Sequence, residues 1–318
     1  MAATLKQIPA SGPVRYLKLG ERGILEDDCT KDGSAYFGFG MYQADRRALW
    51  EAGRWDELRA LLLTTSYAGK PSVATNVTRQ ARAFFEDDGT TVWITFHDGR
   101  MFWSRFLPGS TVEHRHGRDG VWRRVDGGWR HIDIAGDELE MAGLSGRLTQ
   151  LVGFRGTSCA VRPDDLARYA RRRINAQTIP EIEQARATVA RLTEDIVPLM
   201  RLLEPRDFET LVDLVFSTSG WRRLGPVGGT AKTIDLELEL PTTGQQAFVQ
   251  VKARATTPDL AEYVTALTTR PQDAWMFFVY HTGKVKTDDP RVRLVGPRAF
   301  AEMVLNAGLT SWLIKKTA

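Results

Sequence analysis

Two cysteines in 318 residues, Cys29 and Cys159, are too few for a disulfide framework or a cysteine zinc site. Long apolar runs are missing too. Nothing approaches the roughly 20 residues that a membrane helix needs, and the opening MAATLKQIPASGP lacks the apolar stretch of a signal peptide. A cytoplasmic protein with no membrane partner is therefore expected. Neither a fixed-period repeat nor a low-complexity segment interrupts the chain, which sets solenoids and disordered arrays aside. Charge of one sign is also in short supply: a net +4 permits an anionic partner without demanding one.

What is present is a globular composition, 42% hydrophobic and 26% charged. The length predicts two domains of about 150 residues each. Residues 1–175 hold 26 basic against 22 acidic side chains and residues 176–318 hold 17 of each, so any nucleic acid should meet the first half. Six of the nine tryptophans precede residue 130, which fits either base stacking or a small aromatic core.

In the first half, short apolar runs alternate with turn residues over 14–42, and Ala48, Leu49, Ala52, Trp55, Leu58, Leu61 and Leu62 then recur at helical spacing, broken near Gly53. Thr91–Phe96 and Met101–Phe106 flank His97-Asp98-Gly99-Arg100, a hairpin signal because Asp-Gly accommodates positive φ. Val121–Val125 and Trp129–Ile134 repeat the pattern around Asp126-Gly127-Gly128, and Phe154–Val161 reads as a closing strand. Together these predict a small, partly open β-barrel over residues 1–165. Residues 166–204 read as a helical linker.

The second domain, 205–318, opens on a helix with Pro205 in its first turn and Phe208, Leu211, Val212 and Val215 on one face. The order that follows is α-β-β-β-α-β-β-α, an α/β domain with a mixed sheet flanked by helices. In Lys232–Leu240, alternation separates Ile234, Leu236, Leu238 and Leu240 from Asp235, Glu237 and Glu239; in the next strand Phe248, Gln250 and Lys252 oppose Val249 and Val251. Paired as a hairpin, the two strands bring Asp235 to Gln250 and Lys252. Asp235 would then bind Mg²⁺ (or Mn²⁺), with the Gln250 amide oxygen and the Val251 carbonyl as further oxygen ligands. Lys252 would orient the attacking water or steady charge growing on a phosphate. The plain alternative is a solvated polar face, and Glu237 and Glu239 share it.

This arrangement resembles the PD-(D/E)xK nuclease superfamily, specifically its Mrr-like restriction endonucleases, over residues 205–307. The matching residues are Phe208-Glu209, Gly220-Trp221, the Gly228-Gly229 turn, Ile234-Asp235-Leu236, Val249-Gln250-Val251-Lys252 and a later Val-Arg-Leu-Val-Gly before a short helix. Lys232-Thr233 depart from the family's glycine-rich approach to the aspartate. The resemblance implies a restriction-endonuclease-like fold, catalysis by Asp235, Gln250 and Lys252, and Glu209 as a further residue at the metal. Glu209 and Asp213 at i, i+4 also fit the wet side of an amphipathic helix.

Tyr16-Leu-Lys-Leu-Gly, Thr91-Val-Trp-Ile-Thr-Phe, Phe102-Trp103 and Phe154-Arg-Gly-Thr resemble, more loosely, a PUA- or EVE-like barrel over residues 12–165, a class that binds RNA or modified DNA bases. Trp93, Phe102, Trp103 and Arg155 are its pocket candidates, although filling the barrel core is the plainer role for the aromatics. Arg171, Arg172 and Arg173 form either a solvated helix face or a grip on the phosphate backbone. His114 and His116 read as a surface loop, and Gly228-Gly229-Thr230 as a turn.

The leading expectation is a metal-dependent DNA endonuclease, a modification-dependent or other defence restriction enzyme, acting on double-stranded DNA as a homodimer. The alternatives are a catalytically inactive protein that binds RNA or modified nucleic acid, and a DNA-repair nuclease.

Overall fold

The computed structural model describes residues 6–115, 118–225, 235–267 and 275–318. His116 and the segment from Gly228 to Ile234 lie outside the described residues. The chain divides into two compact units between Ile179 and Pro180, within the stretch read as a linker. Among the described residues, no helix is long and apolar enough to cross a membrane.

The first unit contains β1 (Val14–Leu17), α1 (Glu26–Asp32), β2 (Ser34–Phe37), α2 (Ala44–Glu51), α3 (Trp55–Thr64), α4 (Pro71–Phe85), β3 (Val92–His97), β4 (Arg100–Ser104), β5 (Val112–Glu113), β6 (Val121–Arg124), α5 (Gly146–Thr149), β7 (Ser158–Ala160) and α6 (Asp164–Ile174). The β3–β4 hairpin turns through Asp98 at φ 46° and Gly99 at φ 70°, the positive pair that a tight two-residue turn requires. Glu26, Asp27 and Asp28 fill the first turn of α1, where the helix dipole favours acids.

Closure into a barrel is not seen among the described residues. Strands fall into a four-stranded sheet, β4-β3-β1-β7, and a three-stranded sheet, β2-β6-β5. A barrel needs each edge strand paired, whereas β4 and the segment after it meet the chain beyond β6 only through isolated bridges, Arg100↔Glu140, Trp103↔Arg130 and Phe106↔Val125, among the described residues. Trp129–Ile134 forms isolated bridges at Arg130 and Ile132 instead of a strand. α6 belongs to this unit, with Leu166, Ala170 and Ile174 in its core.

The second unit runs α7 (Pro180–Met200), α8 (Pro205–Thr218), β8 (Arg222–Arg223), β9 (Leu236–Leu240), β10 (Gln245–Thr256), α9 (Thr257–Leu267), β11 (Trp275–Lys284), β12 (Val292–Val295), α10 (Pro297–Asn306) and α11 (Thr310–Thr317). Its sheet, ordered β12-β11-β10-β9-β8, is mixed: β10, β11 and β12 are parallel, and β9 and β8 antiparallel. α9 forms the crossover that two parallel neighbours need.

The two sheet faces bury different helices. Val249 and Val251 of β10 and Leu236 and Leu238 of β9 join Ile196 of α7, Phe208 and Leu211 of α8 and Phe300 of α10. Phe248, Phe278 and Tyr280 face the other way, against Leu260 and Leu267 of α9. Burial on both sides explains why β11 reads as a nearly continuous apolar run. Because Phe300 is fully buried, Phe300→Ala should destabilise the second unit by about 3–5 kcal/mol. Val73→Ala, at an exposed site in the first unit, should change stability by no more than about 0.5 kcal/mol. Guanidinium titration followed by circular dichroism checks both.

Candidate active site

The site forms where the β9–β10 ladder runs out. Its last paired residues are Leu236 and Val249, and the Asp235 backbone N–H donates to the Val249 carbonyl at 3.1 Å. Two residues further along β10, at Val251, the Asp235 side chain takes the place of a ladder carbonyl. Its Oδ2 accepts the Val251 backbone N–H at 2.6 Å and the Gln250 Nε2–H at 2.6 Å. The carboxylate is thereby fixed against the central strand by two donors, one of them rigid backbone.

Strand alternation sets the rest. Gln250 and Lys252 project to the α9 face, while Val251 points into the opposite core. Lys252 is half-buried, with its Nζ 5.2 Å from the Tyr263 ring centroid of α9. Tyr263 is the main cause that raises its pKa, against desolvation, and Asp235 adds attraction. Lys252 is thus a cation throughout the neutral range. Tyr263, which carries no sequence signal for this role, is what holds it.

Asp235 titrates higher than an ordinary aspartate. Burial is the principal cause, opposed by the Val251 N–H, by Lys252 and by Gln250. Glu209 on α8 is exposed but also raised, first by partial desolvation and then by repulsion from Asp235, while Arg206 and Arg223 pull it down. The fold therefore puts Glu209 within electrostatic reach of Asp235. Asp213, one turn further on, lies 3.5 Å from Arg223 rather than on a purely wet face. His281 of β11 is buried with its ring edge-on to Phe208 at 4.7 Å; burial and then Arg201 hold it neutral.

Gln250 is only 5% exposed, and its Oε1 is buried without a hydrogen-bond partner. An orphaned amide oxygen beside a carboxylate is a pair of hard donors with unused capacity. Asp235 and Gln250, with Glu209 nearby, fit a divalent cation that retains several waters. Among the described residues no group of three or more His, Cys, Asp or Glu gathers, so the set depends on the neutral Gln250.

The first-unit candidates are dispersed. Trp93 is fully buried, donates its indole N–H to Asp87 Oδ2 at 2.9 Å and stacks on Phe106; Trp103 is also buried, with its N–H on the Ile132 carbonyl at 2.8 Å. Both fill the core, so neither presents a face to a base. Phe102 is half-buried and Arg155 exposed. Arg171 is buried and reaches the Ala10 carbonyl at 3.4 Å, Arg172 lies 6.0 Å from the Tyr169 ring centroid, and Arg173 is half-buried. The three arginines are therefore not one solvated face. His114 stacks on Tyr42 at 4.6 Å and meets the Arg118 carbonyl.

The raised pKa of Asp235 makes a stability prediction. Below the ordinary aspartate range, Asp235 is protonated in both folded and unfolded chains and carries no penalty. As pH rises through its raised folded pKa, the unfolded chain has already ionised and stability is lost. Asp235→Asn should unfold at a higher temperature than the parent at neutral pH, with the difference vanishing near about pH 3. Thermal unfolding at both pH values is the check, and an equal difference at both would contradict the burial account.

No family model and no curated protein matches the chain. Among solved structures, the MspJI restriction endonuclease in complex with a 27-mer oligonucleotide is similar at 13% identity, over 76% of this chain and 68% of that one, with a TM-score of 0.24. A likeness at that score carries no argument about fold or activity.

Proposed function

We propose that the second unit hydrolyses phosphodiester bonds in double-stranded DNA, as a divalent-metal-dependent endonuclease of the PD-(D/E)xK, Mrr-like kind. The reading rests chiefly on the knot of Asp235, Gln250 and the Val251 N–H on a central strand, with the Lys252 cation on the same strand. The orphaned Gln250 oxygen supports it, because a buried acceptor without a partner is costly unless something donates to it or coordinates it.

In this reading Asp235, Gln250 and Glu209 would hold Mg²⁺ or Mn²⁺, and the Val251 carbonyl would offer a further oxygen on the same strand. When bound, such a cation polarises the phosphate and lowers the pKa of a water. Asp235 is held in place by its two donors, so little reorganisation accompanies binding of a charged group. Lys252, protonated and steadied by Tyr263, balances the negative charge that grows on the phosphoryl oxygens. With its pKa raised, Lys252 serves as a positioned cation rather than a base.

The first unit, read as PUA- or EVE-like, is the recognition module for a modified or unmodified duplex, which makes the chain a modification-dependent or defence restriction enzyme. One site cuts one strand, so a homodimer cuts both.

A second reading is supported by Gln250 itself. A neutral amide in place of an acid lowers the affinity for a cation, which fits a degenerate nuclease fold that binds RNA or modified nucleic acid without cutting it. A repair nuclease is distinguished by preferring branched or damaged DNA.

Incubation of the protein with methylated and unmethylated plasmids, with Mg²⁺, Mn²⁺ or chelator, separates these readings. Lys252→Ala and Asp235→Ala should each lower metal-dependent cleavage by about 10²-fold or more. Undiminished cutting by both variants would place the active site elsewhere, and binding of every substrate without cleavage would favour the second reading.

A further inference from the structure

The first unit contains a cavity of about 570 Å³ between β1, α4 and the β7 region. Three arginines converge on it, Arg15 from β1, Arg79 from α4 and Arg162 after β7, and none of its lining residues is acidic. Arg15 Nη2 donates to Ser158 Oγ at 3.3 Å and its guanidinium lies 5.6 Å from the Trp93 ring centroid, yet its Nε is buried without a partner. Burial is the main cause depressing the Arg15 pKa, and Arg79 and Arg162 add to it, while Cys159 and Asp87 oppose it. Asp87 is committed elsewhere, to the Thr91 N–H at 3.1 Å and the Trp93 indole at 2.9 Å. Arg79 is steadied by Asn76 Oδ1 at 2.9 Å. A pocket with three guanidinium groups and no lining carboxylate has charge to satisfy, and arginine forks match phosphate oxygens.

Size and an aromatic wall narrow the ligand. A cavity of this volume is in the range of small-molecule sites, roughly 300–1,000 Å³, well above what a lone phosphate fills. Half-buried Phe154 on its lining offers a ring on which a base can stack. We propose that this cavity binds a phosphorylated nucleotide, with phosphate on Arg15, Arg79 and Arg162 and the base against Phe154. The inference stands on the first unit alone and does not depend on cleavage by the second. The nucleotide is either free or part of a strand.

Cys159 lines the cavity and is partly exposed, whereas Cys29 is buried, so alkylation of Cys159 reports occupancy. Full-length protein is treated with iodoacetamide and read by intact mass. A mixture of deoxynucleoside 5′-monophosphates should slow modification at least about tenfold at saturation, and deoxynucleosides lacking phosphate should not. Arg79→Ala with Arg162→Ala should raise the half-protecting concentration about tenfold or more while leaving the thermal midpoint unchanged. Arg162→Gln alone, at an exposed residue, is the milder variant should the double change disturb folding. Protection by a single-stranded 12-mer places the nucleotide in a strand, and protection by monophosphates only identifies a free nucleotide; isothermal titration with the same probes gives the answer if the thiol reacts too slowly. No binding of either probe, or protection by inorganic phosphate equal to that by nucleotides, would overturn the proposal.

Discussion

The Asp235 carboxylate fastened to the Val251 N–H and the Gln250 amide is the contact on which the candidate site depends. It converts the place where β9 stops pairing into a fixed acidic corner on a strand packed from both faces. Val249 and Val251 bury on the side of α8 and α10, and Phe248 buries against α9. The strand therefore cannot slip without moving two cores, since a shift of one residue would exchange its faces. Placement of Lys252 follows from the same alternation.

That corner is held at an electrostatic cost. Desolvation raises both Asp235 and Glu209, and the proximity of Asp235 raises Glu209 further, while Gln250 keeps a buried oxygen unmatched. A fold selected for stability alone would neutralise these groups, whereas groups perturbed together in one place are common where a ligand completes the set. Lys252 runs the other way, its charge reinforced by Tyr263. The pairing of acids that resist ionisation with a lysine that keeps its proton suits a site built for an anionic substrate and a small cation.

Much of the second unit was legible because period-two and period-3.6 patterns dominate it. The order from α8 to α10 follows the sequence reading, and α11 adds one helix at the end. The β3–β4 turn was equally readable from Asp98-Gly99. The first unit was harder. α4 buries Thr78 and Gln80 beside Ala81 and Phe84, so its inward face is partly polar and its helical pattern is blurred. Arg171 is buried through a contact with Ala10, 161 residues away, which no local pattern encodes. At the site, the residue types and their strand faces were readable. Tyr263's hold on Lys252 and the side-chain bond that replaces a ladder carbonyl were not, because both depend on where the sheet ends and α9 docks.

The central claim is that Asp235 and Gln250 jointly receive a divalent cation, and the Gln250 side-chain amide is the most direct reporter. In ¹⁵N-labelled protein its resonances are assigned by their loss in Gln250→Glu. Mg²⁺ should shift them, Mn²⁺ should broaden them beyond detection, and Asp235→Asn should suppress both effects. If the Gln250 amide neither shifts with Mg²⁺ nor broadens with Mn²⁺ at concentrations that support cleavage, the cation does not bind there and the account of the site is contradicted.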